Sequence, residues 1–286
     1  MKTYLDCFPC IVRQALESAR MATNNEILQR EILNSVFKEL PKVPQTVTPP
    51  EIAVTVHRII KKVSGNKDPY KKVKEKFNKK ALQLYSDLKQ KINKSDNHLL
   101  TAAKLAIAGN IIDFGAGGSN FDLNQNIKEV LSSNLAIDHF NKFKDDILSS
   151  SSVLYIGDNA GEIVFDRILI EEIKKYSEAD IFFVVRGEPI LNDATIEDAK
   201  FVGIDKVAKV ISDGYDAPAI LLSNSSKELK KAFDSADMVI AKGQGNYETL
   251  NEVKGNIYFL LKAKCLVLAK DIKSNLGDNI LKCNIE

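Results

Sequence analysis

Three times in its second half the chain runs an apolar, β-rich segment into a turn of carboxylates, amides and glycines, and then onward toward a helix. The first segment is Ser152-Val153-Leu154-Tyr155-Ile156. It enters Gly157-Asp158-Asn159-Ala160-Gly161-Glu162, after which Ile163, Val164, Ile168, Leu169 and Ile173 recur at helical spacing. The second, Ile181-Phe182-Phe183-Val184-Val185, leads into Arg186-Gly187-Glu188-Pro189-Ile190-Leu191-Asn192-Asp193-Ala194-Thr195 and a further helix. The third, Asp237-Met238-Val239-Ile240-Ala241, runs into Lys242-Gly243-Gln244-Gly245-Asn246. Strands alternating with helices predict a parallel sheet with crossover helices. Ligands of open α/β sheets gather beyond the carboxyl ends of the strands, where all three polar turns lie.

Asn and Asp cap helices and fill turns routinely, because their side chains satisfy early backbone N–H groups. Capping accounts for one such pair. It accounts poorly for three neighbouring strand ends that carry carboxylates, amides, a lysine and glycines together. A hard divalent cation takes oxygen ligands, and a helix start offers free N–H groups to an anion. The constellation therefore points to a metal–phosphate site.

The first half reads as helical. Apolar residues recur at helical spacing from Ile11 to Met21, again through Glu31–Phe37, and at Ile52, Val56, Ile59, Ile60 and Val63. Thr48-Pro49-Pro50-Glu51 is a helix start, and Asp68-Pro69 opens another helix to about Ile92. Leu99 to Ile112 is an alanine-rich apolar helix, and Ile127 to Leu148 is read as helical again. These elements predict an α/β chain with an all-helical domain over residues 1–149 and a Rossmann-like, parallel-sheet metal-binding domain over residues 150–286.

Between Arg58 and Lys94 there are thirteen Lys and Arg against three acids. The stretch lacks interleaved surface aromatics, and Phe77, Leu84 and Leu88 form a core stripe, so a solvated lysine face is expected rather than a nucleic-acid surface. The net charge of +2 gives no strong attraction for a polyanion. No run approaches the roughly 18 apolar residues of a membrane helix, and the start lacks an apolar signal core, so a cytoplasmic protein is expected. Gly115-Ala116-Gly117-Gly118-Ser119-Asn120 imitates a nucleotide loop, but Asn120 stands where a third glycine belongs, and no Walker loop occurs.

Of the four cysteines, Cys265 is placed in a strand spanning Cys265-Leu266-Val267-Leu268-Ala269, packing as a small hydrophobe. Cys7-Phe8-Pro9-Cys10 leaves three readings open: half a zinc site, a redox pair, or two cysteines on one helical turn.

Five runs carry a family resemblance: Asp68-Pro69-Tyr70, Ala108-Gly109-Asn110-Ile111-Ile112-Asp113-Phe114-Gly115, Gly157-Asp158-Asn159-Ala160-Gly161-Glu162, Leu191-Asn192-Asp193-Ala194-Thr195 and Lys242-Gly243-Gln244-Gly245-Asn246. In this order and separation the chain resembles the damage-control phosphatases, once catalogued as domain of unknown function 89, in the branch with an N-terminal CxxC. The resemblance implies a helical N-terminal domain, a Rossmann-like C-terminal domain, and metal-dependent hydrolysis of small phosphorylated metabolites. It also implies metal ligation by Asp158, Asn159 and Asp193. Manganese or magnesium suits that oxygen set, and the family tolerates cobalt or nickel.

Lys242 is expected as a second cation for the phosphate. Gly161, Glu162, Gly243 and Asn246 are expected to line the substrate, and Asn110 and Asp113 to reach the cleft, since polar groups on an apolar helix need partners. A haloacid-dehalogenase-type phosphatase would need a second Asp two positions beyond Asp158, where Ala160 stands. A non-catalytic metal- or nucleotide-binding sensor using the same crevice is the alternative. The physiological substrate and oligomeric state are left open.

Overall fold

The computed structural model describes residues 1–44, 46–109 and 123–285. The chain opens with α1 (Cys7–Ala22), α2 (Glu26–Glu39) and α3 (Pro49–Ser64). Ile11, Ala15 and Ala19 of α1 close a small core with Ile32 and Val36 of α2 and Ile52, Val56 and Ile60 of α3. The sequence marks both ends of α3: Thr48 and Glu51 form a capping box around Pro49 and Pro50, and Gly65 closes the helix at φ +69°.

Next come α4 (Lys71–Asn93), α5 (His98–Gly109) and α6 (Leu123–Ser132). Lys71, Lys72, Lys76 and Lys79 face outward on α4 while Phe77, Ala81 and Leu88 face the core. The chain continues with β1 (Ile137–Asp138), α7 (Phe140–Ser149), β2 (Ser152–Ile156), α8 (Glu162–Ile173), β3 (Asp180–Val185), α9 (Ile196–Val202) and β4 (Lys209–Ser212). It ends with α10 (Lys227–Ser235), β5 (Met238–Lys242), α11 (Gly243–Leu250), β6 (Ile257–Lys262), α12 (Leu266–Ile272) and β7 (Asn279–Cys283).

The seven strands of the described residues form one sheet in the order β1-β7-β6-β5-β2-β3-β4, parallel throughout except between β6 and β7. Side chains of β2 alternate between two buried faces. Val153 and Tyr155 join the core shared with α5 and α8, while Leu154 and Ile156 join the core shared with α11 and α12. Helices on both faces explain why the strands read as continuous apolar runs.

From β2 the chain winds outward through β3 and β4 on one side, and through β5 and β6 on the other. The order reverses at β2, so the crevice at the carboxyl ends of β2 and β5 is the sheet's topological switch point.

Three sequence expectations need correction. Cys265–Ala269 is no strand: β6 lies just before it, and Cys265 caps α12 by accepting the Leu268 N–H on Sγ. Leu268, Ala269 and Ile272 are buried whereas Leu266 is 73% exposed, a one-sided pattern that strand burial would not produce. Residues 127–148 are not one helix, because β1 interrupts them by pairing with β7. The last strand turns back antiparallel to β6. The boundary expected at residues 149 and 150 falls between α7 and β2, with β1 before it and α8–α12 after it. A single core takes Leu88, Leu99, Leu105, Phe143 and Ile147 from before it and Tyr155, Phe165 and Phe183 from after it.

Candidate metal and phosphate site

Asp158 and Asn159 lie just past β2, and the segment after β3 folds back across them. Asn159 and Asp193 form an isolated antiparallel bridge. The Ala160 N–H donates to the Asn192 carbonyl at 2.8 Å, and the Ala194 N–H to the Asp158 carbonyl at 2.8 Å. Leu191 adopts φ +46° in the tight turn before Asp193, a costly conformation for a branched side chain. These backbone bonds bring together side chains 35 positions apart in sequence.

Arg186, the first residue after β3, is 1% exposed and is the hub of the site. Its Nε donates to Asp193 Oδ2 at 2.7 Å, and its Nη2 donates to Asn246 Oδ1 at 3.4 Å. Nη2 also stands 3.8 Å from Asp158 Oδ1, and Nη1 3.7 Å from Asp213 Oδ2. Asp213 is fixed in turn, accepting the Gly187 and Tyr215 N–H groups on Oδ1.

The Asn159 Nδ2 donates to Asp158 at 2.9 Å and to Glu162 at 3.1 Å. Glu162 begins α8, where Gly161 turns the chain at φ +84°. A Cβ on Gly161 would stand 3.0 Å from Phe77, and its N–H donates to Asn78 Oδ1 at 2.7 Å. Asn78 donates onward to Asp198 at 2.7 Å, so α4 fixes the start of α8.

Behind these groups Lys242 is wholly buried. Its ammonium donates to Glu162 at 2.6 Å, Asp166 at 2.8 Å and the Ala106 carbonyl at 2.7 Å. Its three N–H bonds are thereby used. Tyr155 also donates to Asp166, at 2.8 Å.

The electrostatics are one-sided. Among the described residues five carboxylates, Asp158, Glu162, Asp166, Asp193 and Asp213, share the cluster with two buried cations, Arg186 and Lys242. Burial pushes the Asp158 carboxyl well above the ordinary carboxylate range. Glu162 and Asp193 push it further, while Arg186 and Lys264 oppose them. Burial raises Asp193 to about 6 against the pull of Arg186, and raises Asp166 to about 6 against that of Lys242. Burial disfavours the Lys242 and Arg186 charges, but the surrounding carboxylates outweigh it and hold both ionised.

The expected metal ligands Asp158, Asn159 and Asp193 therefore share one site, with Glu162 beside them. Lys242 and Asn246 have other partners than substrate here. Asn246 is buried, accepts the Ile220 N–H at 3.0 Å and donates to the Lys242 carbonyl at 2.7 Å, bracing Arg186 from behind. Gly243 is buried at the first turn of α11. Asn110 and Asp113 lie outside the described residues. Gly109, just before them, packs so closely that a Cβ there would stand 3.1 Å from Phe165 and 3.3 Å from Glu162. Sequence reasoning assigned no role to Arg186, Asp166, Asp213 or Lys264. Arg186 carried a usable signal: a charge placed directly after five apolar strand residues.

The chain matches the family model described as the damage-control phosphatase ARMT1-like domain over residues 3–280. It is 44% identical to an uncharacterized protein of Methanocaldococcus jannaschii, over 96% of this chain and 93% of that one. It is 38% identical to a damage-control phosphatase of Pyrococcus horikoshii, covering 97% and 96% of the two chains. A damage-control phosphatase of Archaeoglobus fulgidus is 35% identical over 96% and 97%. The crystal structure of a DUF89 family protein from Pyrococcus horikoshii superposes with a TM-score of 0.92 at 36% identity, covering 99% of each chain. With its switch-point crevice and these matches along nearly its whole length, the chain belongs to the damage-control phosphatase, ARMT1-like family.

Proposed function

We propose that the protein is a divalent-metal-dependent phosphatase of small phosphorylated metabolites, with the ion held by Asp158, Asn159 and Asp193. The observation that carries this reading is the excess of buried carboxylates over buried cations at the switch-point crevice. Such an excess is unfavourable unless another positive charge enters. Among the described residues no three His, Cys, Asp or Glu side chains form a metal cage by themselves. The fit is therefore to a mixed carboxylate–amide set, which suits a hard ion such as manganese or magnesium.

When bound, the ion would screen the phosphoryl charge and lower the pKa of a coordinated water. The chain's own residues do the rest. Arg186 holds Asp193 and stands beside Asp158, fixing the spacing of the two carboxylates. Glu162, tied to Lys242, orients the Asn159 amide. α8 begins directly beyond β2, so the positive end of its dipole lies at the strand-end crevice and favours negative charge there. Hydrolysis of damaged metabolites accords with the names of the Pyrococcus and Archaeoglobus relatives.

The test is phosphate release from p-nitrophenyl phosphate by chelator-treated protein resupplied with manganese, magnesium, cobalt or nickel, followed by a panel of phosphorylated metabolites. Metal-restored turnover is expected. Ion binding without turnover on any substrate would overturn the enzymatic reading in favour of a sensor.

A further inference from the structure

We propose that Cys7 and Cys10 form a redox-active dithiol that exchanges with small-molecule disulfides such as oxidised glutathione, separately from phosphate hydrolysis. The motif occupies the first turn of α1. Residues three apart on a helix have Cα atoms about 5 Å apart, within the usual 4.4–6.8 Å of a disulfide. Pro9 between them stiffens the turn at a position where a backbone N–H has no helical acceptor.

Both thiols are free, and among the described residues no third and fourth ligand converge to make the pair half of a metal site. A packing role fails for Cys10, which is exposed. Its Sγ lies 4.0 Å from Arg13 Nη2. Cys7 is half-buried, and burial raises its thiol, with Glu248, Cys265 and Cys10 adding to the effect. The two sulfurs are thus unlike: an accessible one beside a cation, and a sheltered one.

That asymmetry sets the order of events. Cys10, the accessible sulfur, gives its proton to solvent and attacks the incoming disulfide, forming a mixed disulfide and expelling one thiolate. Cys7 then gives up its proton and attacks Cys10 Sγ, closing the Cys7–Cys10 bond and expelling the second thiolate. The two protein protons end on the two released thiols, and two electrons pass from the protein to the small disulfide.

Cys265 is the natural competitor, since it lies near Cys7 and accepts a hydrogen bond from Gln244 at 3.4 Å. The experiment equilibrates the full chain with reduced and oxidised glutathione over a range of ratios, blocks free thiols and maps them by mass spectrometry. Wild type and Cys265→Ser should form a reversible Cys7–Cys10 disulfide. Cys7→Ser should accumulate glutathione on Cys10, and Cys10→Ser should take it up at least about tenfold more slowly. Free Cys7 and Cys10 at every ratio would overturn the proposal, as would a bond from either to Cys265. Turnover of p-nitrophenyl phosphate is no part of this readout, so the two functional readings fail independently.

Discussion

Removing the Asp158 carboxylate deletes a charge that burial, Glu162 and Asp193 all disfavour. Asp158→Ala should therefore lose at least about a hundredfold in phosphatase activity and bind metal weakly. In chelator it should melt no lower than wild type; a large drop in melting temperature would show the residue to be structural. Lys242 is the opposite case. Its loss leaves Glu162 and Asp166 buried without their cation, and Lys242→Met should cost about 3–5 kcal/mol in denaturant unfolding. A stable Lys242→Met with a raised KM alone would restore it to a substrate role.

His57, 3% exposed on α3, is held down to about 3 by burial, with Lys61 adding to the effect, whereas an unfolded histidine titrates near 6.5. Its contribution is present above pH 6.5 and is lost as pH falls from there toward 3, since only the unfolded chain takes the proton. Between pH 7.5 and 5 the loss should reach about 2 kcal/mol, and His57→Leu should remove that increment from the pH–stability curve. At this scale the sequence was legible where chemistry is local, as in the Asp158–Asn159 pair. Lys242 misled because strand-end lysines are normally solvated, and only the arrival of α5 and α8 above β5 buries this one.

The helices around the site depend on one backbone reversal. Gly161→Ala places a side chain at φ +84° and within 3.0 Å of Phe77, so either the start of α8 or α4 must move. A loss of about 1–3 kcal/mol is expected, with reduced turnover because Glu162 moves with the helix start. Wild-type stability and activity in Gly161→Ala would show that α8 does not need this turn. The elements most legible in the sequence were those with a period and a boundary, such as α3 between its capping box and Gly65, or β2 between serines and Gly157. Cys265–Ala269 was misread because five apolar residues fit a strand or one face of a short helix equally well. The antiparallel β7 followed no local rule, since its direction is set by docking beside β6 at the sheet edge.

Across the whole molecule, strands begin to alternate regularly with helices near residue 150, but the core does not divide there. Among the described residues ten large apolar side chains from before that point, including Leu88, Leu99, Leu105, Ile107, Phe140 and Phe143, are buried in the same cluster as Ile163, Phe165 and Tyr155. Each is worth roughly 1.5–3 kcal/mol of burial, so losing even a few matches the roughly 5–15 kcal/mol that holds a domain folded. The helices α1–α3 are different, because their apolar stripes close mainly on one another. They touch the remainder through polar contacts such as the Ser18–Tyr70 hydroxyl pair and the Arg58–Asp216 ion pair. A fragment of residues 150–286 should therefore show no cooperative thermal unfolding by circular dichroism. A fragment of residues 66–286 should unfold cooperatively below the full chain, because α4, α5 and α7 still cover the sheet. Cooperative unfolding of the shorter fragment would mean that the sheet and its own crossover helices suffice, and that the helices before residue 150 are an appended domain.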